Sequence, residues 1–355
     1  MTDPTEARIG FVGLGNIAQL HADQLGDIGI PVTAGMDVLE EAREAFAAEY
    51  GAETYDDHEE MFEAVDAVIV STPNRFHADY VVDALDAGLD VLVEKPLSNT
   101  LEGAERIAEA ARDAEGLCMV GFHNRFRAPV QVLREYDEAG EMGEINHVEA
   151  NFVRRRGVPG RGSWFTQKDM SGGGSVIDLG VHAIDLALYL LDYPDVAEVS
   201  ATTRSQFGTR EEDYTYLSMW GDDQDPEAFD VDDSASAFIR TEDGRTISLE
   251  VAWAANRQPS QEFVVRGDGA GAHLDLATDD LSVLETSNAG ADHHRTTDVE
   301  TAGREAHGLE LERFAESVVS GEDPGINTVE EGLTVQRVMD GIYRSSEAGE
   351  AVDIE

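Results

Sequence analysis

The run Arg8-Ile9-Gly10-Phe11-Val12, followed at once by Gly13-Leu14-Gly15-Asn16-Ile17-Ala18, constrains the fold more than any other stretch. The apolar run reads as a buried strand and residues 17–25 as a helix, so the glycines occupy a strand-to-helix turn. In that context G-x-G-x-x-G/A is a dinucleotide fingerprint. Gly13 serves the tight turn, Gly15 lets the main chain approach a pyrophosphate, and a small Ala18 lets helix and strand pack. The first N–H groups of the helix, at Asn16 and Ile17, face the anion. Asp37 closes a second apolar run, residues 31–36. Its carboxylate suits a ribose hydroxyl and repels a 2′-phosphate, which favours NAD over NADP. Arg43, further into the next helix, is placed to soften that preference.

Seventy-three acidic residues against 25 basic ones give a formal net charge of −48. That field opposes nucleic acid and anionic membrane surfaces as partners. The acids recur between apolar segments, as Glu40-Glu41, Asp56-Asp57, Glu59-Glu60, Glu211-Glu212-Asp213, Asp222-Asp223 and Asp279-Asp280. The pattern is a folded chain with an acidic surface, suited to concentrated salt, so a halophilic source is expected. Only Lys95 and Lys168 are lysines; the other 23 basic residues are arginine. One cysteine, Cys118, excludes a disulfide framework, and no histidine spacing suggests a metal. No stretch reads as membrane-spanning and no export segment is evident at the N-terminus, so a cytoplasmic location is expected.

Residues 1–123 alternate apolar runs with helical patterns: strands near 67–71, 91–93 and 117–122, helices near 40–50, 77–87 and 101–113. This predicts a Rossmann dinucleotide-binding domain built on a parallel sheet. Thr72-Pro73-Asn74 and Glu94-Lys95-Pro96 fall at the C-terminal strand edge, where such sheets bind ligands. Residues 124–355 carry helices near 129–138 and 181–191, then mainly two-residue alternation. Strands 234–240 and 245–251 meet at an Asp243-Gly244 turn, further strands lie at 262–266, 273–276 and 281–285, and helices at 309–319 and 329–344 close the chain. The expectation is an α+β domain with a mostly antiparallel sheet.

Asp178 and His182 stand four apart after Ser171-Gly172-Gly173-Gly174-Ser175, so on a helix they share a face. A carboxylate that orients an imidazole suits it to remove a proton near neutral pH. The glycines before them leave room for a cofactor or substrate, and Lys95 brings a compact positive charge to the strand edge. The same residues are compatible with plainer roles: Asp178 as a cap, His182 as a core histidine, Lys95 reaching to solvent past a strand-ending Pro96. Arg154-Arg155-Arg156, Trp164 and Lys168 precede the glycines and suit the substrate side, an indole face matching a sugar ring; solvated pairing with nearby acids is the plainer role of the arginines, and a core position that of Trp164. Residues 157–162 read as a mobile loop over that pocket.

Gly13–Ala18, Thr72-Pro73-Asn74 with His77, Glu94-Lys95-Pro96, and Gly172-Gly173-Gly174 with Asp178 and His182 together resemble the Gfo/Idh/MocA oxidoreductases, over nearly the whole chain. The resemblance implies Lys95, Asp178 and His182 as the catalytic set. It implies cofactor contacts from Ser71 through Asn74, His77, Glu94 and Lys95, besides the glycine-turn residues and Asp37. Residues 121–126 look like the family's stretch joining two domains, with His123 where asparagine is common, which assigns Asn124 and Arg125 to substrate or nicotinamide ribose. It further implies that residues 124–355 form a substrate-binding and oligomerisation domain with a large, open sheet, through which a homodimer or homotetramer assembles. The expected activity is NAD-dependent oxidation of a secondary hydroxyl of a sugar, glycoside or inositol-like cyclitol. Two alternatives stay open: an NAD-dependent glycosidase using transient oxidation, and a non-catalytic dinucleotide-sensing protein.

Overall fold

The computed structural model describes residues 3–210, 215, 217–225 and 227–354; the acidic run Glu211-Glu212-Asp213 lies outside them. The chain divides into two compact units, Met1–His123 with Arg304–Gln336, and Asn124–Gly303 with Arg337–Glu355.

The first unit begins with β1 (Ile9–Val12), α1 (Asn16–Asp27), β2 (Val32–Met36), α2 (Glu40–Tyr50), β3 (Glu53–Tyr55) and α3 (His58–Phe62). It continues with β4 (Ala67–Val70), α4 (His77–Asp86), β5 (Asp90–Val93), α5 (Leu101–Asp113) and β6 (Cys118–Val120). The strands form one parallel sheet in the order β3-β2-β1-β4-β5-β6. This is the doubly wound order whose crevice lies where the winding reverses, between β1 and β4. All residues of β1 and β4 are buried, as expected of strands covered by helices on both faces. Local chemistry sets the helix starts: the Asp57 carboxylate accepts from Glu59 and Glu60 N–H, and Thr100 Oγ1 accepts from Gly103 N–H.

The expected second domain runs unbroken from 124 to 355, whereas residues 304–336 cluster with the first unit. Helix α9 (Ala306–Ser320, numbered in chain order) lies on α1 and buries Leu311, Phe314 and Ala315 completely. Val120 N–H donates to Asn327 O at 2.8 Å, fixing the returning chain to β6. A strand end and an amphipathic helix with no local partner find each other over some 200 residues, which spacing along the chain does not reveal.

The second unit holds α6 (Ala128–Glu138), β7 (Ile145–Val153), α7 (Lys168–Ser171), a π-helical turn (Val176–Gly180) and α8 (Val181–Leu190). Then come β8 (Val196–Arg204), β9 (Ser234–Thr241), β10 (Thr246–Ala252), β11 (Ser260–Gly267), β12 (Ala270–Asp275), β13 (Asp280–Ser287) and β14 (His293–Val299). After α9, α10 (Val329–Ala348) starts in the first unit and ends in the second, and β15 (Val352–Asp353) closes the chain. The nine strands run in the order β14-β13-β12-β11-β7-β10-β9-β8-β15. Every pairing is antiparallel except β7 with β10. The β9–β10 hairpin turns at Gly244, φ +92°, as the Asp-Gly pair predicts.

Helix α8 lies against β7 and β10 with nine of its ten residues buried. The stretch Lys168–Leu190 is, against expectation, long and apolar enough to cross a membrane, but 89% of its most apolar window is buried inside the protein. It is a core segment. The acidic pairs Glu40-Glu41, Asp56-Asp57, Glu59-Glu60 and Asp279-Asp280 are exposed, whereas Asp223 turns inward to Arg161.

Candidate active site

In the first unit the glycine turn sits between β1 and α1. Gly13 has φ +89°, and an added Cβ would lie 2.8 Å from Thr72 Cγ2, so both conformation and packing require glycine. Gly13 N–H donates to Met36 O, and Ser71 Oγ donates to Gly13 O at 3.0 Å. Gly15 differs: it is exposed, and an added Cβ would meet nothing within 4 Å. Nothing inside the protein demands a bare main chain there. Gly15 caps α1 without any side-chain hydrogen bond, leaving the first helical N–H groups at Asn16, Ile17 and buried Ala18 without a capping side chain. An anion at this helix start fits both observations.

Asp37 stands at the end of β2. Its carboxylate accepts from Leu14 N–H at 2.9 Å and Leu39 N–H at 2.8 Å, which orients it and leaves acceptor capacity for ribose hydroxyls. Arg43 donates to the main-chain oxygen of Asp37, at 2.7 Å, rather than to the carboxylate.

Ser71, Thr72, Pro73 and Asn74 form the turn after β4, with Asn74 buried. His77, grouped by resemblance with the cofactor contacts, is completely buried. Its Nδ1 lies 3.0 Å from Pro96 O and its Nε2 2.8 Å from Thr72 O. The ring therefore braces the two ligand-edge turns against each other, and burial pushes its pKa below the usual range. Glu94 is also committed within the protein. One oxygen lies 2.7 Å from Nε2 of fully buried His21, and the other accepts from Lys95 N–H at 3.1 Å. Burial alone would raise its pKa; the His21 hydrogen bond, with the charges of His21, Lys95 and His307, holds it down at about 2. Glu94 thus anchors the main chain of half-buried Lys95 at the end of β5. His123 stacks on His307, ring centroids 3.8 Å apart.

In the second unit, Asp178 lies in the π turn and His182 in the first turn of α8. The extra residue of a π turn re-aims the side chains that follow it, a device common at functional sites. Trp253 Nε1–H donates to Asp178 Oδ2 at 2.8 Å, and Arg154 lies 3.8 Å from the same oxygen. His182 is 8% exposed, with the Phe152 ring roughly parallel to it at 6.1 Å. Asp178, Arg154, Trp253, His182 and Phe152 thus gather around α8, β7 and the end of β10. The room expected at Gly173 and Gly174 is already filled: a Cβ at Gly173 would overlap the Tyr343 hydroxyl, and one at Gly174 the Asp232 carbonyl.

Three expected substrate-side features have partners within the protein. Arg125 is completely buried, its guanidinium on Asp185 at 2.6 Å and on Tyr193 Oη at 2.5 Å, against the Tyr189 and Tyr193 rings. That ion pair is internal scaffolding and removes Arg125 as a substrate contact; neighbouring Asn124 is 5% exposed. Asp185→Ala, which leaves the guanidinium buried without its carboxylate, should cost about 3–5 kcal/mol of unfolding free energy. Urea titration checks this, and a loss under 1 kcal/mol would contradict the assignment. Trp164 stacks on Phe165, which meets Trp220 edge-on. Residues 157–162, expected as a mobile loop, are bonded to a later segment: Arg161, 2% exposed, pairs with Asp223 at 2.7 Å, and Gly160 N–H donates to Trp220 O.

Sequence reasoning missed Trp253, Asp232 and Asp185. In a chain whose acids are mostly surface, nothing local distinguishes a buried aspartate, and Trp253 follows an ordinary alternating strand. Among the described residues, no three His, Cys, Asp or Glu side chains are placed to hold a metal ion.

Residues 7–122 match the model of an oxidoreductase family with an NAD-binding Rossmann fold, and residues 130–273 match the GFO/IDH/MocA C-terminal domain. The chain is 33% identical to D-glucoside 3-dehydrogenase of Escherichia coli (strain K12), covering 98% of this chain and 97% of that one. It is 31% identical to D-xylose 1-dehydrogenase (NADP(+)) 2 of Haloferax volcanii, covering 98% of both. The solved levoglucosan dehydrogenase, in complex with NADH and levoglucosan, superposes with a TM-score of 0.86 over 98% of this chain and 99% of that one, at 22% identity, a likeness of fold. An NAD-binding parallel sheet, a mostly antiparallel second sheet and full-length similarity to sugar dehydrogenases agree: the chain is an oxidoreductase of the Gfo/Idh/MocA family.

Proposed function

We propose that this enzyme oxidises a secondary hydroxyl of a sugar, glycoside or cyclitol, with NAD as the hydride acceptor and C3 of a D-glucoside as the preferred position. The observation that carries the reading is Asp178, held by the Trp253 indole in a π turn that leads into His182. The similarity to D-glucoside 3-dehydrogenase supports the class of substrate. When bound, NAD supplies the electron sink at its nicotinamide ring. Gly15 and the start of α1 receive the pyrophosphate, and Asp37 the adenosine ribose. His182, oriented by Asp178, takes the hydroxyl proton. The Lys95 ammonium, set by the Glu94–main-chain bond, stabilises the alkoxide that develops. Assembly as a homodimer or homotetramer through the second unit's sheet, where Phe238 and Leu284 stay exposed, belongs to the same reading.

The test is a panel of methyl glucosides, glucose, xylose, levoglucosan and myo-inositol in molar KCl, which suits the −48 charge. NADH should accumulate with methyl glucoside ahead of the others, and faster with NAD than NADP. Asp37→Ala should narrow that cofactor preference by about tenfold or more, since like-charge juxtaposition costs several kcal/mol. Cleavage of a chromogenic glycoside with no net NADH would instead identify a glycosidase, and silence across the panel would refute the reading.

A further inference from the structure

We infer that Asp232 is a positioning residue for Asp178, clamping the start of the turn that carries it. Asp232 is 7% exposed, and all four of its carboxylate hydrogen bonds point at neighbouring structure. Oδ1 accepts from Gly174 N–H at 2.8 Å and from the Tyr343 hydroxyl at 2.7 Å. Oδ2 accepts from Ser175 Oγ at 2.6 Å and Val176 N–H at 3.0 Å, while the Asp232 main-chain oxygen accepts from Ser175 N–H. Three consecutive residues are thereby fixed. The next bond along is that of Asp178 N–H to Gly174 O, 3.0 Å.

The following residue closes the circuit. Trp253 N–H donates to Asp233 O at 2.9 Å, and the Trp253 indole donates to Asp178 Oδ2. Asp232-Asp233 therefore holds Asp178 from two sides: through its own main-chain turn and through its side-chain partner. Charge-assisted bonds to consecutive N–H groups are short and directional, so they set position rather than merely fill space. The clamp also accounts for the glycines: Tyr343 and Asp232 occupy the space that side chains at Gly173 and Gly174 would need. A cavity of about 250 Å³ borders Asp232 and Tyr343, so water can reach groups freed by truncation.

The inference rests on Asp178 having the catalytic part proposed above, so the test reads geometry and turnover separately. In 15N-tryptophan-labelled enzyme, the Trp253 indole signal, assigned with Trp253→Phe, reports its bond to Asp178. Asp232→Ala should shift that signal in the direction of Asp178→Ala and speed its solvent exchange about tenfold, with the Trp164 and Trp220 signals unmoved. Asp232→Asn, which keeps one accepting oxygen, should restore part of the shift. With methyl glucoside, kcat of Asp232→Ala should fall on the order of 10²-fold, the cost of an ångström-scale misplacement, while KM for NAD changes less than twofold. If Asp232→Ala does not fold, Ser175→Ala and Tyr343→Phe should give smaller shifts in the same direction. An unmoved Trp253 signal in folded variants overturns the inference. If wild type turns over nothing on the panel, the functional reading fails while the indole signal still decides the clamp.

Discussion

His182→Asn should lower kcat for methyl glucoside oxidation by about 10²–10⁴-fold, the usual contribution of a positioned general base. Asparagine approximates the shape of the ring but accepts no proton near neutral pH. The surroundings support a role beyond packing. His182 opens a helix that is otherwise an almost continuous apolar stretch, follows the Asp178 turn directly, and lies roughly parallel to the Phe152 ring with 8% of its surface exposed. A histidine placed there for packing alone would be replaceable by leucine or glutamine with little change in rate. Steady-state NADH formation, with NAD binding followed by fluorescence, checks the prediction. A kcat within threefold of wild type would remove His182 from the mechanism.

Lys95→Ala should cost about 10²–10³ in kcat, the range for losing one donor to a developing oxyanion, with NAD affinity changed less than threefold. The stronger expectation concerns Lys95→Arg, which should recover less than tenfold. This chain has 23 arginines and two lysines, so retention of an ammonium at position 95 points to a need that guanidinium does not meet. A planar fork cannot occupy the site of a compact ammonium on a flexible stem. The anchoring argues the same way: Glu94, buried and held ionised by His21, bonds the Lys95 N–H and sets the origin of that stem. Full activity in Lys95→Arg would mean that charge alone suffices there.

The parts of the molecule that local physics decides were legible in the sequence. The β1–Gly13–α1 turn, the alternation of β1, β2, β4, β5 and β6 with their helices, the Asp-Gly hairpin and the two closing helices all express short-range propensity and periodicity, whereas β3 and α3, three and five residues long, carry too little pattern to be read. The parts decided by long-range pairing were not. Strand β7 lies between β10 and β11, about 100 residues later in the chain, and α9 returns to α1. The candidate site divides in the same way. Asp178 and His182 were visible from a four-residue spacing, although the structure adds a π turn that helical spacing does not foresee. The family resemblance of residues 121–126 implies a substrate role for Arg125, and nothing in that stretch announces Asp185, sixty residues away, as its partner. The glycine run suggests room for a ligand, but at Gly173 and Gly174 the room belongs to Tyr343 and Asp232. Buried aspartates are the least legible feature of so acidic a chain, since composition predicts that each of them faces water.

Isotope transfer tests the central claim most directly. With methyl glucoside carrying deuterium at C3, the deuterium should be recovered in the reduced nicotinamide, one atom per molecule of 3-keto product, while the hydroxyl proton is released to solvent. Deuterium lost to water, or retained in a cleaved sugar with no reduced cofactor formed, would contradict direct hydride transfer from the carbinol carbon.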